Sequence, residues 1–259
     1  MFEKRTPVFT KGRILKKEML ESLRDFPRYV TDIFLAPYVD GVISGLDLTV
    51  DQENIMIAPG IIKYQGQLLL LGEVFTVPYQ ANGGDQILKL RMEAAYQTED
   101  FEGRKVEVLL ENGLDLHDHE LELARFKLKE GAYLRSDYQG LSDFLTGYNT
   151  LNIVHQPYSS VEEITLHPAI LRYFARELLA CQTENPADLN ICFQVLNQNQ
   201  SISKELLTHY IRMRLKQPHL QLEDHVSLHQ KLIKVLELAK SEQRRGTNAP
   251  MSGRKMIVD

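Results

Sequence analysis

The 259-residue chain has no tryptophan, two cysteines and no long uninterrupted apolar run. Each scarcity excludes something. Cys181 and Cys192 are too few for a disulfide framework or a four-thiolate zinc site, and they suit a reducing compartment of assembly. Apolar stretches such as IIKYQGQLLLL are short and broken by polar residues and glycine, so no stable membrane insertion is expected. The opening MFEKRTPVFTKGR is charged and has no apolar core, so no secretory signal is expected. Neither GxxxxGK[ST] nor GxGxxG occurs, which leaves helicase or NTPase chemistry without residues to carry it. A GxSxG elbow is missing as well. The net charge of -5 gives no global field for a polyanion, so no nucleic-acid partner is expected.

What is present is an ordinary globular composition, 43% hydrophobic and 25% charged, in a chain long enough for one large domain or two smaller ones. Its periodicity changes twice. From Thr10 to about Tyr38, Leu15, Met19, Leu20, Leu23 and Phe26 recur at helical spacing. Pro27 interrupts them, and Tyr29, Val30, Ile33 and Phe34 resume until Pro37. Two short amphipathic helices, or one kinked at Pro27, satisfy this pattern. Its apolar stripe can lie in a groove of a neighbouring subunit or pack on the chain's own β-region; Leu15, Leu20, Leu23, Phe26 and Tyr29 are the candidate docking residues.

From Asp40 to about Tyr138 the period is two. Leu46, Leu48 and Val50 alternate with polar residues, Ile55 and Ile57 follow, and Pro59-Gly60 and Gly66 mark turns. Leu68 to Leu71 reads as a strand buried on both faces, and Phe75 and Val77 are expected to close that hairpin. Leu88, Leu90 and Met92 alternate with Lys89, Arg91 and Glu93, as on a half-buried strand. Val106, Val108 and Leu110 make another strand. In HELELARFKLKEG the phase slips between Leu121/Leu123 and Phe126/Leu128, so a bulge near Ala124 is expected. About seven short strands with Gly-rich turns indicate an antiparallel β-sandwich or open barrel.

After about Leu166 the period returns to 3.6. Pro168 opens one helix, with Ile170, Leu171, Phe174, Leu178 and Cys181 on a stripe. Asn185-Pro186 caps a second, striped by Leu189, Cys192, Phe193 and Leu196. Ser203 caps a third, with Ile202 and Leu207 as a hydrophobic staple. A fourth runs from about Leu222 to Ala239. The fold class is therefore α+β: an N-terminal helical segment and a β shell, followed by a small α-helical bundle. The expected divisions are an arm and helix over 1–38, the shell over 39–138, a structured connector over 139–164, the bundle over 165–243 and a polar tail over 244–259. In the connector, Leu141, Phe144 and Leu145 are too apolar to stay exposed.

Titratable residues offer little chemistry. His117-Asp118-His119-Glu120 has metal-ligating types, but nothing nearby in sequence completes a site, and a solvated loop accounts for it. His225 and His229 stand at i, i+4, yet Val226 occupies the place of the glutamate in HExxH; a hydrogen-bonded core histidine is the expectation for His229. Arg244, Arg245, Arg254 and Lys255 read as a solubilising tail. No catalytic residue, metal ligand or cofactor is assigned. Two other classes stay open: a carbohydrate- or cell-surface-binding module, disfavoured by the absence of Trp, and a metal-dependent hydrolase built around His117 and His119.

The order FTKGRILKKEMLESLRDFPRYV, DGVISGLDLTVDQENIMIAPGIIKYQGQLLLL, LELARFKLKEGAYL resembles the N-terminal region of baseplate proteins from contractile phage tails and related injection systems, which hold fibres or receptor-binding modules. The matching residues are Gly41, Val42, Ile43, Gly45, Leu46, Pro59, Gly60 and Gly66, then Leu121, Leu123, Ala124 and Gly131, within residues 9–138. The layout is similar to the shell-plus-bundle part of the type VI secretion baseplate trimer. The resemblance implies a non-enzymatic structural subunit without cofactors, assembled in the bacterial cytoplasm as a homo-oligomer, with a trimer favoured. It also implies partners among other baseplate or tail subunits and a fibre or receptor-binding protein. That family ends in a further partner-binding head, for which the expectation here is a separate protein or none.

Overall fold

The computed structural model describes residues 3–198 and 201–247. Most of the 244–259 tail, with Arg254 and Lys255, lies outside them, as does the side chain of Arg245. One helix, α1 (Lys17–Leu35), opens the fold and carries Pro27 in its interior, so the N-terminal pattern is a single helix and not two. Leu15 precedes it, in the extended arm.

The β-region holds more strands than its periodicity suggested, arranged as open sheets. They are β1 (Gly41–Gly45), β2 (Leu48–Val50), β3 (Asn54–Ile57), β4 (Gly60–Tyr64), β5 (Gln67–Leu71), β6 (Phe75–Pro78), β7 (Asp85–Gln97), β8 (Glu102–Asn112) and β9 (Glu120–Lys127). Two further short strands, β10 (Tyr158–Ser159) and β11 (Ile164–Thr165), come from the connector. The sheet orders are β11-β10-β1-β4-β5, β2-β3-β6 and β8-β7-β9, antiparallel except for the β1–β10 pair. Gly45 (φ +73) and Gly60 sit where β1 and β4 touch. A Cβ on Gly45 would lie 2.1 Å from the Pro59 carbonyl oxygen, so close backbone approach requires both glycines. Gln65 and Gly66, both at positive φ, form the tight β4–β5 turn.

Three strand expectations are corrected. β5 is an edge strand, with Leu70 74% exposed, because nothing pairs on its outer side. Phe75 and Val77 pair with β3 in a different sheet and do not close the β4–β5 hairpin. Lys89 is fully buried although it alternates with apolar residues. β7 is the central strand of its sheet and is covered on both faces from Gln86 to Leu90, and the Lys89 ammonium is neutralised by the buried Glu120 carboxylate and by Glu111, which is partly exposed. The slip in β9 is real. Leu88 pairs with Ala124 and Lys89 with Glu122, so Leu123 is the extra residue of a bulge.

A short 3-10 turn at Leu141–Leu145 and four α-helices complete the chain: α2 (Pro168–Ala180), α3 (Pro186–Asn197), α4 (Lys204–Leu215) and α5 (His225–Thr247). Each of the first three has a side-chain N-cap: His167 accepts from the Ala169 N–H, Asn185 from Ala187 and Ser203 from Leu206. The stripe on α3 is corrected. Asp188, Ile191, Cys192 and Val195 are buried, while Phe193 and Leu196 face out. The cause is electrostatic. Asp188 is needed inside, where it accepts from Tyr210 and Thr183 at 2.8 Å each and stands 2.8 Å from Arg214, so the helix turns its carboxylate inward and Phe193 outward.

One apolar cluster runs from Val42 in β1 to Ala239 in α5, joining sheets and helices. The connector ties them together. Leu141 and Phe144 are buried and Leu145 half-buried. Phe144 stacks on Tyr138 at 3.7 Å between centroids and meets Tyr173 of α2 edge-on. The buried His229 ring lies 2.9 Å from the Leu141 carbonyl oxygen, and His225 meets the Val154 carbonyl, so both histidines hold the connector to α5.

Candidate docking surface

α1 is the element whose apolar residues the fold does not use. Met19, Leu23, Phe26, Val30 and Ile33 follow one another at spacings of four and three, so they form one line along the helix. Leu20 and Phe34 flank that line on one side and Tyr29 on the other. The charges take the opposite face and pair locally: Lys17 with Glu21, Arg28 with Asp32, Arg24 with Asp25. No residue of α1 is buried, and Phe26 and Ile33 are 49% and 74% exposed. Of the five sequence-predicted docking residues, Leu20, Leu23, Phe26 and Tyr29 stand exposed on the helix. Leu15 is exposed in the arm before it.

The helix is held by its C-terminal end. Lys63 of β4 donates to the carbonyls of Leu35 (2.8 Å), Ala36 (3.3 Å) and Tyr38 (2.6 Å), placing a cation at the negative end of the helix dipole. Beyond it, the Val39 N–H donates to the Ser160 carbonyl and the Glu162 N–H to Pro37, which ties the exit of α1 to the connector. On the side of α1 toward the sheets, Arg28, Thr31 and Asp32 share an open groove with Gln67 and with Tyr96, Gln97 and Glu102 of the β7–β8 hairpin.

A second exposed apolar surface escaped the sequence reading. Phe193 and Leu196 on the outer face of α3, with Leu189, line a shallow depression, and Met213 of α4 is exposed in the groove between α3 and α4. Its signal was Asp188 itself, an acid three residues after a helix cap that also lies in phase with Ile191, Cys192 and Val195.

The titratable groups are arranged as structural supports. Burial raises the Glu120 carboxyl, but hydrogen bonds from Lys89, the His117 N–H and Arg91 outweigh it and hold it down to about 2. Burial drives His167 down to about 3 and His229 to about 4, in the second case against the Leu141 contact. Both rings are therefore neutral at pH 7. Burial also raises the Cys192 thiol to about 12. His117 and His119 are engaged separately. The His117 N–H donates to Glu120, whereas the His119 ring, on a residue at positive φ, meets the Tyr64 hydroxyl. Among the described residues, no group of three or more His, Cys, Asp or Glu is placed to hold a metal ion, and no helix is long and apolar enough to cross a membrane.

No family model matches this chain, and no curated protein matches it significantly. Solved structures do. A chain of the type VI secretion system TssK-TssF-TssG baseplate subcomplex, seen by cryo-electron microscopy, is 10% identical with a TM-score of 0.38; the match covers 91% of this chain and 100% of that one. A crystal structure of TssK is 12% identical with a TM-score of 0.42, over 93% of this chain and 69% of that one. A chain of the type VI secretion baseplate complex is 10% identical with a TM-score of 0.33, over 91% of this chain and 100% of that one. Likenesses this distant carry no argument about function.

Proposed function

We propose that this chain is a non-enzymatic structural subunit of the baseplate of a contractile phage tail or related injection system, an oligomeric adaptor linking the wedge to a fibre or distal module. The observation that carries this reading is α1: nineteen residues with an apolar line on one face, none of them buried, fixed to the body at one end. A helix built this way fits docking into an apolar groove of another subunit. The sequence resemblance over residues 9–138 supports the same reading. So does the placement of the perturbed titratable groups, which are consumed in capping and ion pairing inside the core. The role is mechanical: rigid sheets and bundle transmit force, and α1 makes the joint.

The test is assembly. Particles isolated from a producing strain are expected to contain the wild-type chain and to lose it when Leu23→Glu and Phe26→Glu are combined. The purified variant should keep its circular dichroism and melting temperature. Undiminished incorporation of the folded variant, or absence of the wild-type chain from particles, overturns the reading.

A further inference from the structure

The arm together with the first residue of α1 differs in charge from the rest of the chain. Residues 3–17 hold six cations, Lys4, Arg5, Lys11, Arg13, Lys16 and Lys17, against one carboxylate, Glu3. The remainder holds 24 Lys and Arg against 34 Asp and Glu. Arg5 pairs with Glu3 and Lys17 with Glu21, whereas Lys4, Lys11, Arg13 and Lys16 have no ion pair among the described residues. Val8, Phe9, Ile14 and Leu15 stand exposed between them.

The complementary surface is the tip of the β7–β8 hairpin. From Glu93 to Glu102 it carries Glu93, Glu99, Asp100 and Glu102 and no cation. All four are exposed, and none is in an ion pair among the described residues. Tyr96 and Phe101 are exposed beside them, Phe101 by 72%, and the Lys105 ammonium lies 5.9 Å from the centre of the Tyr96 ring. Hydrogen bonds between Thr98 and Phe101 fix the shape of the tip. The first cation after it, Arg104, is engaged with Gln65, Gln67, the Glu93 carbonyl and the Tyr64 ring.

We propose that the cationic arm of one copy docks on the acidic, aromatic hairpin tip of a second copy, head to tail; this rests on the oligomeric part of the reading above. Lysines and arginines spaced by apolar residues meet carboxylates spaced by aromatic ones, and the pairing matches in both charge and apolarity. Within one chain no hydrogen bond or ion pair joins arm to tip among the described residues. The two patches differ, so the contact is heterologous, and a cyclic ring satisfies every arm. An anionic lipid surface fits less well, because the polar face of α1 next to the arm carries Glu18, Glu21, Asp25 and Asp32 as well as its cations.

The experiment measures the mass of the full chain by sedimentation and light scattering, at rising salt, for four proteins. These are the wild type; Lys11→Glu with Arg13→Glu and Lys16→Glu; Glu99→Lys with Asp100→Lys and Glu102→Lys; and the six changes combined. All sites are exposed, and circular dichroism checks folding. Each triple reversal is expected to weaken self-association at least ~10-fold, and the combined protein to recover it within about threefold. Wild-type association should fall as salt screens the contact. A monomer at every salt concentration, an oligomer indifferent to either triple, or a six-fold variant that does not recover overturns the proposal. So does an arm-to-tip cross-link confined to the monomer band, or binding to phosphatidylglycerol vesicles without self-association. A wild-type monomer that still enters particles removes this contact alone. A rescued oligomer that never enters particles removes the baseplate reading and leaves the contact standing.

Discussion

α1 and the bundle α2–α5 are written in the same code and end in opposite states. Both repeat apolar residues every three or four positions. In α2, Ile170, Leu171, Phe174 and Leu178 are all buried, whereas in α1 nothing is. The local chemistry differs too. α2, α3 and α4 begin with a side-chain cap, while α1 follows Lys16 with none and carries a proline inside. Helicity in α2–α5 is supported by packing. α1 relies on local ion pairs and on Lys63 at its end, so covering its apolar line by another surface would contribute most of its stabilisation.

The largest expected contrast is between two phenylalanines. Phe174→Ala, at a fully buried site, should destabilise the fold by about 3–5 kcal/mol in urea or guanidinium unfolding. Phe26→Ala should change it by under ~0.5 kcal/mol in the isolated chain. Equal losses would mean that α1 is part of the cooperative core.

Acid should separate the regions next. His167 and His229 have folded values of about 3 and 4, below those of an unfolded chain, so the unfolded state binds their protons first as pH falls. Their contribution is complete above about pH 6.5 and declines through the window down to about pH 4 and then 3. Glu120, held near 2, adds a second decline between about pH 4.5 and 2. Melting temperatures from pH 7 to pH 3 should fall nearly equally for the full chain and for one lacking residues 1–34, because His167, His229 and Glu120 all lie outside α1. His229→Gln should flatten the upper part of the decline.

A smaller effect belongs to caps. Ser203→Ala removes the acceptor for the Leu206 N–H and should cost about 1 kcal/mol in global stability. The smallest global effect is expected from Pro27→Ala. It restores a backbone donor inside α1 and should slow amide exchange around Leu23 to Thr31, while leaving the unfolding midpoint of the body where it was.

Short-range chemistry was legible from the residues. The caps at Asn185 and Ser203, the β9 slip beside Ala124 and the burial of His229 beside the apolar stripe of α5 all follow from neighbours within a few positions, although the Leu141 carbonyl that His229 meets lies 88 positions away. Lys89 was not legible, because its partners Glu111 and Glu120 lie 22 and 31 positions away and only sheet pairing brings them to it. The same holds for Asp188, whose inward turn depends on Tyr210 and Arg214. The exposed line on α1 was legible as a line, and its being uncovered was not.

By itself, then, the sequence determined the order of helix, strands and helices, the starts of α2, α3 and α4, and the lack of the GxxxxGK[ST], GxGxxG and GxSxG motifs, whereas the last helix, expected over about Leu222 to Ala239, is His225–Thr247. These depend on backbone preferences and on periods of two and 3.6 residues, which are local. Tertiary structure decided which apolar faces meet. It placed β5 at an edge and β7 in the middle, sent Phe193 outward, and left the apolar line of α1 uncovered among the described residues. Burial is a property of what arrives from far along the chain, and two identical periodic patterns can differ in nothing else.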